Sequence, residues 1–145
     1  MAMLIEPVRQ SVEVPLPPED AFDLFTSGIS EWWPYKTHFS RGQVESLIFE
    51  GRLGGELKEV CADGVIATYG EVVGWDPPRR VVIKWMVAPH RVPPSEVEVR
   101  FCATAAGTRV ELEHRGFVDQ SYRDSYARGW PGVLRLYVEH ASRRA

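Results

Sequence analysis

Cysteine is scarce in this chain: Cys61 and Cys102 are the two present, far apart and outside any C-x-x-C pair. That usage excludes a disulfide framework and a zinc knuckle, and leaves two buried small thiols as the expectation. An excess of one charge sign is lacking too, since 17 basic residues stand against 20 acidic ones for a formal net charge of −3. With no broad cationic field for phosphates, nucleic acid is excluded as a partner. No apolar run approaches the roughly 18 residues of a membrane span. The first ten residues, "MAMLIEPVRQ", lack the basic-then-apolar order of a signal peptide, so a cytoplasmic location is expected. His38, His90, His114 and His140 are dispersed without ligand spacing, so no metal site is expected. G-x-S-x-G is missing, and no serine or cysteine sits in a triad context; no catalytic residue is assigned and no cofactor is expected. Gly54-Gly55 has neither a following helix nor a Lys-Ser/Thr, which excludes a phosphate loop and points to a bulge or strand bend.

What is present is an ordinary globular composition, 44% hydrophobic and 26% charged over 145 residues, enough for one domain spanning residues 1–145. Period-two alternation through Val8, Gln10, Val12 and Val14 predicts a strand over 5–14. "PLPPEDAFDLF" supplies prolines and acids at a helix start, then the apolar stripe Ala21, Phe22, Leu24 and Phe25. "ISEWWP" predicts a second short helix, with Ser30 as its cap and Pro34 as its stop.

From residue 43 onward, six short apolar alternations follow: "VESLIFE", "GRLGGELKEVC", "VIATYGEVVGW", "RRVVIKWMV", "EVEVRFCA" and "RVELEHRGF". Asp63-Gly64 marks a hairpin, and the succession predicts an antiparallel meander. Trp130, Val133, Leu134, Tyr137, Val138 and Ala141 then recur at three-and-four spacing, the stripe of a long helix, with Pro131 either in its first turn or kinking it.

That stripe requires a concave apolar surface, which a curved sheet provides. Parity assigns its inner face: Val81, Ile83 and Trp85; Val97, Val99 and Phe101; Val110, Leu112 and His114. The parity of Leu53 and Leu57 also carries Glu59. A histidine and a carboxylate on an apolar face are either hydrogen-bonded structural groups or the lining of a wet pocket.

Taken in order, "VEVPLPPEDAFDLFTSGISEWWP", "FEGRLGGELKEV", "DGVIATYGEVVGWDPPRRVVIKW", "GTRVELEHRGF" and "GWPGVLRLYVEH" resemble the Hsp90 ATPase activator homologue family of the START/Bet v 1-like superfamily. The resemblance covers about residues 8–140. It implies an α+β helix-grip fold, with a seven-stranded antiparallel sheet, two short helices and a long C-terminal helix around a cavity. One departure stands out: Glu50-Gly51-Arg52 replaces a common Glu-Pro-Arg, and Leu57 occupies a position where an aromatic ring is common.

The expected function is binding of an apolar or amphipathic small molecule in that cavity. The candidate site residues are Trp33, Phe49, Trp85, Phe101, Trp130 and Leu134 for burial, and Arg52, Glu59 and His114 for orientation. Two alternatives stand beside it. A co-chaperone module would bind an Hsp90-type chaperone through an exposed apolar patch. A cavity lyase, cyclase or hydrolase would use His114 and Glu59 as an acid–base pair. A second copy of the chain, in a homodimer, completes the candidate partners. Of the doublet Trp32-Trp33, Trp33 is expected at the cavity mouth between the short helices and the C-terminal helix. Trp32 is expected to seal the helix pair against the sheet edge, and "YKTHFS" to loop over the entrance.

Overall fold

Alternating side chains make Val8–Val14 a strand (β1), with Val8 and Val14 buried and Arg9, Ser11 and Glu13 facing solvent. The computed structural model describes residues 5–34, 44–62, 64, 66–86 and 93–145. After β1 come α1 (Pro18–Phe25) and a 3-10 turn (Ile29–Glu31). Six strands follow: β2 (Val44–Phe49), β3 (Glu56–Cys61), β4 (Ile66–Asp76), β5 (Arg80–Trp85), β6 (Ser95–Thr104) and β7 (Gly107–Arg115). The long helix α2 (Gln120–Arg144) ends the chain. The seven strands form one sheet in the order β1-β7-β6-β5-β4-β3-β2. All neighbouring pairs are antiparallel.

Local chemistry explains these elements. Pro17 and Pro18 stand where a helix start needs no N–H donor, and Glu19 and Asp20 sit at the positive end of α1. Asp119 caps α2 by accepting the Ser121 backbone N–H at 2.7 Å, and Arg143 and Arg144 complement its negative end. Pro131 lies in the interior of α2, not in its first turn.

The structure corrects three expectations. The segment "ISEWWP" forms one 3-10 turn capped by Gly28. Ser30 is not its cap; its hydroxyl accepts the Leu47 backbone N–H at 3.0 Å and ties the turn to β2. The strand expected from residue 51 begins at Glu56. Gly54 takes a φ of +81°, and a Cβ on Gly55 would stand 2.3 Å from the Glu50 carbonyl oxygen. This bend breaks the alternation, so Leu53 is 67% exposed and shares no face with Leu57 and Glu59. Third, Trp32 does not sit at the sheet edge. Its ring lies between Phe25 and Tyr137, at 5.3 and 5.1 Å, and its N–H donates to the Leu24 carbonyl at 2.8 Å, so it joins α1 to α2. The tip residue Asp63, the stretch 35–40 ("YKTHFS"), His38 and His90 lie outside the described residues.

The inner face of the sheet carries Val81, Ile83, Trp85, Val97, Val99, Phe101, Val110, Leu112 and His114, all buried. Against it α2 sets Trp130, Leu134, Tyr137 and Ala141. Phe22 and Phe25 of α1 meet Phe101 at 5.1 and 5.9 Å, and the Tyr137 hydroxyl donates to the Ala21 carbonyl at 2.8 Å. Both helices are therefore held to one core.

The outer face is a charged lattice centred on Glu98, whose side chain is 5% exposed. Its carboxylate accepts from Arg80 and Arg100 at 2.6 Å each and from Arg115 at 2.7 Å. Burial alone would raise its pKa, but the three guanidiniums outweigh it and hold the carboxyl down at about 2. Glu98→Gln removes the charge without changing the shape. It should cost about 1–2 kcal/mol in urea unfolding at neutral pH, the worth of hydrogen bonds to a charged group. A loss below about 0.3 kcal/mol would mean that the lattice contributes nothing measurable.

Candidate functional site

Where the C-terminal end of β5 faces the first half of α2, the two elements stand apart and leave a cleft of about 270 Å³. It is lined by Trp33, Trp85, Ser125, Tyr126, Gly129, Trp130 and Val133. Trp33 follows the 3-10 turn, Trp85 ends β5, and Tyr126, Trp130 and Val133 recur at helical spacing along α2. The three tryptophans converge: Trp33 to Trp85 is 6.2 Å, Trp33 to Trp130 is 6.3 Å, and Trp85 to Trp130 is 5.8 Å between ring centroids. Among the described residues, no charged side chain lines the space. A recess of about 20 Å³ adjoins it, lined by Trp85, Pro93, Ser95, Phe117, Val118, Tyr122 and Tyr126.

Behind Trp130 and Trp85 stands His114, fully buried. Its Nδ1 accepts the Trp130 indole N–H at 3.0 Å, and its Nε2 meets the Ser95 hydroxyl at 2.7 Å. An indole can only donate, so Nδ1 carries no proton; the imidazole is the neutral Nε2–H tautomer, donating to Ser95. Burial pushes its pKa down to about 3. Both nitrogens are occupied, and the ring is enclosed by Phe117 and Tyr126 at 4.4 and 4.5 Å. His114 thus fixes the Trp130 ring in place and has no nitrogen available to move a proton.

Glu59, fully buried on β3, accepts a hydrogen bond from the Tyr69 hydroxyl. Tyr69 lies against Trp33 and Trp85, at 6.1 and 6.0 Å, and burial together with Glu59 pushes its pKa up. Three strands, β4, β5 and β6, separate Glu59 from His114 in the sheet order. The acid–base pair expected between them does not form: each has its own partner, on either side of Trp85. The buried Trp33 Nε1 makes no hydrogen bond of good geometry among the described residues, although it lies close to the Tyr69 hydroxyl.

The remaining candidates lie elsewhere. Phe49 is buried 6.3 Å from Trp75, Phe101 packs on Phe22, and Leu134 is a core side chain of α2; none of them lines the cleft. Arg52 lies in the β2–β3 turn with its side chain 64% exposed, 3.8 Å from Glu50. Sequence reasoning passed over Tyr69, Ser95, Phe117 and Tyr126. Tyr126 carried a usable signal, because it precedes Trp130 by four residues and Val133 by seven and so extends the α2 stripe by one turn. Ser95 had none, since its place beside His114 depends on the β6–β7 register.

Among the described residues no group of three or more His, Cys, Asp or Glu could hold a metal ion, and no helix is long and apolar enough to cross a membrane. Among the described residues the large exposed apolar side chains are Ile48, Leu53, Ile66, Val73, Val118 and Tyr122. They are spread over β2, the β2–β3 turn, β4, the β7–α2 connection and α2.

Comparison with known proteins places this geometry in a family. The model of the family described as Activator of Hsp90 ATPase homolog 1-like protein matches residues 15–139. A solved anthrahydroquino-γ-pyrone synthase, Txn09, complexed with SUM, is 33% identical with a TM-score of 0.65, covering 96% of this chain and 99% of that one. Protein MLL2253 from Mesorhizobium loti is 21% identical with a TM-score of 0.70, covering 92% and 95%. CalU16 from Micromonospora echinospora is 23% identical with a TM-score of 0.64, covering 94% and 74%. No curated protein matches in sequence. The seven-stranded antiparallel sheet and long C-terminal helix are the helix-grip arrangement of these neighbours, and the chain belongs to the Activator of Hsp90 ATPase homolog 1-like family.

Proposed function

We propose that this protein binds an apolar or amphipathic small molecule in the cleft between Trp33, Trp85 and Trp130. The convergence of three large rings on a space whose described lining is uncharged carries this reading. Apolar burial at roughly 25 cal/mol per Å² drives entry, and aromatic walls favour flat ligands that stack. The cleft lies near the low end of ligand-site volumes, roughly 300–1,000 Å³, which fits a ligand of few rings. Native mass spectrometry of gently purified protein, with a library of neutral aromatics added, should show a bound species that Trp85→Ala removes. Empty protein throughout the library would sink the reading.

A second reading, ring-forming catalysis on an aromatic substrate, is supported by the 33% identity to a solved anthrahydroquino-γ-pyrone synthase. Here the cleft serves as a substrate site, and His114 acts by holding Trp130. Incubation with an anthrahydroquinone and analysis of products by chromatography separates the two: a new ring-closed product supports catalysis, while binding without turnover leaves the first reading alone.

A further inference from the structure

Of the three indole N–H groups at the cleft, two are already used within the protein. The Trp130 N–H is given to His114, and the Trp85 N–H is given to the Tyr126 hydroxyl oxygen at 3.1 Å. Because an indole is only a donor, that contact fixes Tyr126 as the acceptor. The hydroxyl hydrogen of Tyr126 is then left without an acceptor among the described residues. Tyr126 lines both the cleft and the adjoining recess, so this donor stands at their junction. A hydroxyl that already accepts one hydrogen bond donates a stronger one, because chains of hydrogen bonds polarise each other.

We infer that Tyr126 is the specificity-determining residue of the cleft, donating its O–H to a carbonyl or ether oxygen on an uncharged, flat aromatic ligand. This rests on the cleft being the ligand site. The aromatic walls supply the affinity, and the hydroxyl distinguishes a ring system bearing an acceptor oxygen from a plain hydrocarbon. Anionic ligands are disfavoured, because the described lining residues offer no cation and against them a carboxylate would lose its water without compensation.

The test compares three probes of similar shape by ligand-observed NMR titration: methyl naphthyl ketone, ethylnaphthalene and naphthoate. With the wild-type chain, the ketone is expected to bind about five-fold tighter than the hydrocarbon, the worth of one net hydrogen bond. Naphthoate should bind at least about ten-fold more weakly than the ketone. Tyr126→Phe should bring the ketone-to-hydrocarbon ratio to about one. Trp85→Phe keeps the Tyr126 hydroxyl but removes the N–H that polarises it, so the ratio should shrink yet stay above one, whatever happens to the affinities themselves. Equal affinity for ketone and hydrocarbon in the wild type, or a preference that survives Tyr126→Phe, overturns the role of Tyr126 while leaving the cleft as a ligand site. If none of the probes binds the wild type, the cleft reading falls and takes this inference with it.

Discussion

Trp130→Ala should lower folding stability by about 4 kcal/mol, within the range for removing a large aromatic ring from a core. Trp130 is 4% exposed and touches Trp33, Trp85 and His114 at 6.3, 5.8 and 6.0 Å between centroids. Its loss opens a void at the point where sheet and helix diverge. It also strips His114 Nδ1 of its donor in apolar surroundings, adding the cost of an unsatisfied buried acceptor. Trp130→Phe keeps most of the ring but not the N–H, so it should cost about half as much. Urea unfolding followed by circular dichroism measures both. A loss of under about 1 kcal/mol for the alanine variant would mean that the ring is not held by the contacts described.

Stability should also fall in two stages as the solution is acidified. His114 has its pKa pushed from 6.5 to about 3 by burial. Below pH 6.5 the unfolded chain therefore takes up a proton that the folded one refuses, and stability falls from there down to about pH 3. Glu98, held at about 2 instead of 4.5, adds its own loss only as pH drops below 4.5. At roughly 1.4 kcal/mol per pH unit for one proton, the His114 stage is worth about 2 kcal/mol between pH 6.5 and 5. His114→Gln, which keeps a donor and an acceptor but cannot titrate, should flatten that stage and leave the lower one. An unchanged slope between pH 5 and 6.5 in this variant would contradict the assignment.

The succession of strands along the chain, the long helix and the inner-face residues of β5, β6 and β7 were legible in the sequence, because alternation and helical spacing are local signals; the pairing of β1 with β7 was not, since it joins the two ends of the chain. So was the burial of His114 and Glu59, which parity assigned to the apolar face. Their partners were not legible: Ser95 and Trp130 reach His114, and Tyr69 reaches Glu59, through strand register and helix placement. Arg52 was misleading, since a charged residue beside a conspicuous motif invites a role in orientation, yet the Gly54-Gly55 bend carries that turn out into solvent. Phe49, Phe101 and Leu134 share the apolar character of cleft residues, and only packing separates a core plug from a wall. For the tryptophan doublet the 100° step between helical neighbours implied two different roles. The direction of Trp32 depended on Tyr137, more than a hundred residues away in sequence.

The central claim, that a ligand enters between Trp33, Trp85 and Trp130, is tested most directly by the indole N–H signals of the five tryptophans in a nitrogen-15 NMR titration with methyl naphthyl ketone. The signals of Trp33, Trp85 and Trp130 should move together along one binding curve, while those of Trp32, buried between Phe25 and Tyr137, and Trp75, half-buried against Phe22 and Phe49, stay in place. Movement confined to Trp32 or Trp75, or five unmoved signals at saturating ketone, would contradict it.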